Sequence, residues 1–162
     1  MTLSVRRPPF PAIWPTRLLC AGVALLVALA VTLTVPLSGA HAQPAYEPAR
    51  GTQERKDLMN AIRPLVEVRV GAPVEFVVDR LRVSEGWAFA IVSPQRPGGV
   101  PIDLSRTLLR DQAEVMDTIT TYVLLRQAYG RWNVVDYAIG PTDVFWYGDP
   151  VYSQLPPGLV PG

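Results

Sequence analysis

The sequence predicts an α+β domain, one N-terminal helix packed on an antiparallel sheet of about four strands. Three observations carry that expectation. Leu58, Ala61, Ile62, Leu65 and Val66 recur at helical spacing and form a single apolar stripe. Downstream lie two pairs of strand-forming runs, each pair joined by a short turn containing glycine. Seven of the 17 prolines precede residue 50 and four fall in 150–162, so proline-rich ends bracket one domain at 52–149.

The helix begins at Thr52, a suitable N-cap, with Glu54 in the first turn where the helix dipole favours an acid. Pro64 falls inside the stripe, so the helix either kinks there or ends near Arg63, and Gly71-Ala72-Pro73 stops it. Val74 to Val83 reads as a strand whose alternation shifts phase around Val77-Val78, the mark of a bulge. Ser84-Glu85-Gly86 turns the chain into a second strand, Trp87 to Val92, with Trp87, Phe89 and Ile91 on one face. Leu104 to Met116 is ambiguous: Leu104, Leu108 and Val115 fit a helix, but Asp111 and Gln112 interrupt the stripe. Ile119 to Tyr129 is a third strand, Gly130-Arg131 turns it, and Trp132 to Ile139 alternates as a fourth. Thr142 or Asp143 is placed to cap a short aromatic turn, Val144 to Tyr147.

A mean hydropathy of +0.18 is raised for a soluble chain, and the excess sits at the front. Arg6, Arg7 and Arg17 precede an uncharged run from Leu18 to Val35, followed by the small-x-small site Ala40-His41-Ala42. That order describes residues 1–42 as a signal peptide cut after Ala42, with 43–51 as a linker. An uncleaved anchor is the alternative, since the run is barely long enough to cross about 30 Å of hydrocarbon. Either way residues 43–162 lie outside the cytoplasm, periplasmic or secreted in the first case and membrane-anchored in the second. Arg6-Arg7 is not followed by the aromatic spacing of twin-arginine export, and Cys20 sits too early in the apolar run for a lipid attachment site.

Cleavage also removes Cys20, His41 and three arginines. What remains has twelve basic and fourteen acidic side chains, a formal charge of −2, and neither thiol nor imidazole. Such a chain has no Ser-His-Asp triad, cysteine nucleophile, imidazole acid–base pair, zinc site with N or S ligands, or His-ligated haem. No cofactor is expected. Gly-rich phosphate motifs are missing, Gly98-Gly99 reads as a turn, and the charge gives no footprint for nucleic acid.

The remaining candidates are few. Arg80 and Arg82, two apart, share a strand face and with Arg96 form either an anion patch or a solvated surface. Trp87, Trp132, Trp146 and Tyr147, with Phe89, line a cleft or serve as core pillars, and Trp146 is the most exposed of the tryptophans by position. Asp136 is in phase with Trp132 and Val134; on a core face it would be a buried carboxylate able to act as a general base. Asp143 and Asp149 flank the aromatic cluster, and Asp143 reads as a helix cap or a catalytic acid.

The stretches Val77 to Val83 with Gly86-Trp87-Ala88-Phe89, and Gly130 to Val135 with Ile139 to Val144, resemble those of small exported bacterial proteins of unknown function. The order of helix and hairpins is also similar to the cystatin-like and NTF2-like class, which implies a curved sheet with the helix in its concavity. Such scaffolds host enzymes and binding modules alike. The expectation is an exported non-catalytic binding or accessory domain of the cell envelope. Its partner would be an unknown envelope protein or small ligand, with membrane contact only through an uncleaved leader. The alternative is an NTF2-like enzyme using Asp136 as base.

Overall fold

The computed structural model describes residues 44–162, so the expected leader lies outside the described residues. Helix α1 spans Gln53–Val70, and strands β1 (Glu75–Ser84), β2 (Trp87–Gln95), β3 (Thr121–Ala128) and β4 (Arg131–Ile139) follow. A one-turn helix α2, Pro150–Ser153, comes last. The strands form an antiparallel meander in the order β1-β2-β3-β4. This is the α+β class the sequence predicts. Among the described residues no helix is long and apolar enough to cross a membrane.

Thr52 caps α1 through its side chain, as its position suggested. The helix runs through Pro64 to Val70 rather than ending near Arg63. Leu58, Ile62, Val66 and Val70, each four apart, are buried on one side, while Pro64 faces solvent. An interior proline costs about 3 kcal/mol, and burying four aliphatic side chains at about 1.5–3 kcal/mol each outweighs it. Arg96 closes the C-terminal end, its guanidinium donating to the carbonyls of Val70 (2.7 Å), Gly71 (2.5 Å) and Pro73 (3.0 Å). Arg96 is therefore a helix-capping residue and not part of an anion patch with Arg80 and Arg82.

Both outer strands carry a one-residue register shift, at Asp79 in β1 and at Val135 in β4. Each bulge reverses the side-chain alternation. In β1 the helix-side residues are Phe76, Val78, Leu81 and Val83; in β4 they are Trp132, Val134, Tyr137 and Ile139. The first bulge was legible in the sequence. The second overturns the expected phase of Asp136, which leaves the side of Trp132 and Val134 and faces the opposite layer, paired with Leu124.

Leu104 to Met116 is not a helix but two short 3-10 turns, Leu104–Arg106 and Arg110–Gln112. Ile102 and Leu109 anchor this connection to the helix-side core, whereas Leu108 and Val115 point to solvent. Those two residues stand outside the helix-side core.

The two ends are integrated into the domain. Tyr46, in the expected linker, pairs with the free edge of β1 through two hydrogen bonds to Val83 (2.9 and 2.8 Å). The proline-rich segment placed beyond residue 149 folds over the second face of the sheet. There Tyr152 and Leu159 are buried against Phe89 and Leu124, with Phe145, Trp146, Leu155 and Val160 around them. The sheet thus has an apolar layer on each side at its centre.

Candidate functional site

The second face owes its character to odd-numbered β2 residues and even-numbered β3 residues. Trp87, Phe89 and Ile91 project from β2, and Tyr122 and Leu124 from β3. Onto these the turn after β4 lays Phe145 and Trp146, and α2 adds Tyr152. Five rings pack mostly edge to face. Phe145 and Trp146 lie 5.2 Å apart, Phe89 and Trp146 5.6 Å, Phe145 and Tyr152 5.9 Å, and Tyr122 and Phe145 6.1 Å. Trp146 leans on Tyr122 at 5.5 Å.

Asp149 and Pro150 explain where α2 begins. The Asp149 carboxylate accepts from the Val151 amide at 2.7 Å, and Pro150 supplies a first helical residue with no N–H to satisfy. Asp143, expected to cap the aromatic turn, meets it through its backbone carbonyl, which accepts from the Phe145 amide at 2.9 Å. Tyr152, one turn on, donates its hydroxyl to Asp136 Oδ2 at 2.9 Å, and the Tyr137 amide donates to Asp136 Oδ1 at 2.8 Å. Asp136 is therefore half-buried with both oxygens hydrogen-bonded. Burial, and then the adjoining Asp136 carboxylate, push the Tyr152 hydroxyl well above the ordinary tyrosine range.

The aromatic turn and the chain's last residues enclose a shallow, mostly apolar groove. Its walls include Val144, Trp146, Tyr147, Tyr152, Val160 and Pro161. Tyr147 stands beside it with its side chain 89% exposed, and Val144 is also exposed.

The other expected site residues are dispersed. Trp132 is a pillar of the helix-side core. Trp87 is half-buried at the far end of the aromatic face, with the Arg126 guanidinium 4.7 Å over its ring. Arg80 and Arg82 share one face of β1, as the sequence indicated, and that face is the aromatic side, opposite Ile91 and Phe89. Arg80 reaches the Gly158 carbonyl at 3.4 Å and leaves its buried Nε without a partner. Only Trp146 and Tyr147 of the expected aromatics meet at one groove.

Sequence reasoning missed Tyr152, hidden in a segment that composition marked as a tail. It also missed a cluster on the helix side, where Arg69, Arg106 and Arg110 line one depression with Val68 and Leu108. The signal there is a strand-like alternation: Arg106, Leu108 and Arg110 are exposed while Thr107 and Leu109 are buried. Among the described residues no cluster of acidic, His or Cys side chains could hold a metal ion. Comparison of the chain with protein-family models, with curated proteins and with solved structures gives no match.

Proposed function

We propose that the chain is an exported, non-catalytic binding or accessory module of the cell envelope. Its ligand is an extended, proline-bearing segment of a partner protein, held in the groove beside Trp146 and Tyr147. The observation that carries this reading is Tyr147, a large aromatic side chain left 89% exposed at the rim of an apolar groove. Aromatic-lined grooves suit proline-rich segments, because such segments are already extended and lose little entropy on docking. This face also takes a stretch of the same composition from its own chain: Leu155, Leu159 and Val160, set among Pro156, Pro157 and Pro161, pack on it.

A general-base role for Asp136 is less favoured, because Tyr152 and the Tyr137 amide occupy both carboxylate oxygens. The cystatin-like and NTF2-like resemblance, with its curved sheet, belongs to the same proposal. So does export through residues 1–42, which predicts Gln43 as the first residue of the mature protein by mass spectrometry. A start at Met1 would favour the anchored form.

The binding reading is tested by calorimetry with a synthetic ten-residue peptide of prolines interrupted by leucines. Saturable binding that Tyr147→Ala weakens about tenfold or more is the expected result, in line with exposed aromatic anchors elsewhere. No binding, or equal binding by the variant, would overturn it.

A further inference from the structure

We propose that the depression between the C-terminal end of α1 and the segment 105–110 is a second docking surface, and that it takes an acidic peptide segment carrying apolar side chains. It lies on the helix side of the sheet, so it is separate from the Trp146–Tyr147 groove and does not depend on it.

Arg69, Arg106 and Arg110 line the depression together with Val68, Thr107 and Leu108, and its lining holds three cations and no acid. That is a strong local departure in a chain whose mature form is formally −2. Among the described residues Arg69 and Arg106 form no salt bridge, the exposed Asp103 carboxylate feeling Arg106 only at longer range, and Arg110 meets its neighbour Asp111 at 3.4 Å with both side chains well exposed. An exposed neighbour pair of this kind contributes little and yields readily to a better acceptor.

The backbone holds the arginines in place. The Leu108 amide donates to the Arg69 carbonyl at 3.0 Å, tying the segment to the helix end. Thr107 Oγ1 donates to the Leu104 carbonyl at 2.8 Å and accepts from the Leu109 amide at 3.1 Å, so the turn is satisfied internally. With Thr107 and Leu109 buried, Arg106, Leu108 and Arg110 must face outward together. Leu108 and Val68 are each 69% exposed, an apolar pair set among guanidinium groups.

Guanidinium forks bind carboxylates in pairs, and an aliphatic side chain of the same ligand would cover Leu108 and Val68. An extended peptide with acidic and apolar residues taking turns at every second position, as in Glu-x-Leu-x-Glu, presents both on the one face that meets the depression, at the spacing of Arg106, Leu108 and Arg110. A concave surface suits a chain better than a flat membrane. The exposed acids next along the sequence, Asp111, Glu114 and Asp117, repel any anion that reaches over them, so a short segment ending at Arg110 fits where a broad anionic lipid surface or phosphate polymer does not.

The test is fluorescence anisotropy with a labelled peptide in which glutamate and leucine take turns at every second position, with serine between them, at low salt, against the mature protein. The expected result is saturable binding that Arg106→Glu with Arg110→Glu weakens at least tenfold. Leu108→Ser should weaken it severalfold, and Arg50→Glu, at an exposed arginine far along the sequence, should change it less than twofold. Replacing glutamate by glutamine in the peptide should abolish binding. These variant side chains are exposed, and thermal unfolding monitored alongside checks that each protein remains folded. The proposal is overturned if the glutamate peptide does not bind, or if Arg50→Glu costs as much as the paired substitution. It is equally overturned if only vesicles of anionic phospholipid bind through Arg106 and Arg110. Because Tyr147→Ala leaves this surface intact, failure of the aromatic groove would not disturb the result.

Discussion

Tyr152 donates its hydroxyl to Asp136 at 2.9 Å, joining the C-terminal segment to the outermost strand of the sheet. The bond exists only because the bulge at Val135 turns Asp136 away from the helix. Tyr152→Phe keeps the ring packing and removes the donor, leaving a half-buried carboxylate oxygen without its partner. We expect a loss of about 1–3 kcal/mol in urea unfolding. Phe89, Phe145 and Trp146 should retain their packing.

The same pair makes stability depend on pH in the alkaline range. Burial and the Asp136 carboxylate raise the Tyr152 hydroxyl above its ordinary value of 10.0, so the folded protein holds this proton more tightly than the unfolded chain does. The contribution is complete below pH 10 and declines as pH rises beyond it. Unfolding curves collected between pH 9 and 11 should show the wild type losing stability faster than Tyr152→Phe. Parallel curves would remove Tyr152 as the source.

Leu159→Ala tests whether the proline-rich end belongs to the core. The side chain is fully buried against the aromatic layer, and its truncation should cost about 2–5 kcal/mol. A free tail would tolerate the change within about 0.5 kcal/mol, so urea titration separates the two cases cleanly.

Gly140 ends β4 with φ at +58°, and a Cβ there would collide with the Thr118 carbonyl oxygen and the Met116 methyl. Gly98 has φ at +79° but open space around it. Gly98→Ala should cost about 1–2 kcal/mol from the left-handed backbone alone. Gly140→Ala should cost clearly more, about 3 kcal/mol or above, because backbone must move as well. Thermal unfolding of the two variants side by side gives the comparison.

Periodicity exposed the helix and all four strands because each buries a regular apolar face. It indicates the β1 bulge around Val77-Val78, next to its observed place at Asp79, because the charges of Asp79, Arg80 and Arg82 make the slip in alternation visible. The spacing in β4 is the same, with Trp132, Val134, Tyr137 and Ile139 matching Phe76, Val78, Leu81 and Val83. There, however, Val135 and Ala138 are apolar and conceal the slip, so periodicity alone keeps Asp136 in phase with Trp132 and Val134. Composition was the poorer guide at the C-terminus. Proline marks irregular backbone, and it does not mark exposure: Tyr152 and Leu159 are core residues among four prolines. The arginine cluster was hidden for another reason, since Arg69 lies far from Arg106 and Arg110 in sequence and the fold alone joins them.

The central claim is that the aromatic turn and the chain's last residues form a binding groove. The direct test is an NMR titration of isotope-labelled protein, residues 43–162, with the proline–leucine peptide. Saturable shifts of the Trp146 indole N–H and of the amides around the groove, in 144–152 and 160–162, are expected, with the α1 amides unmoved. Absence of shifts at Trp146, or shifts centred on the helix side instead, would contradict it.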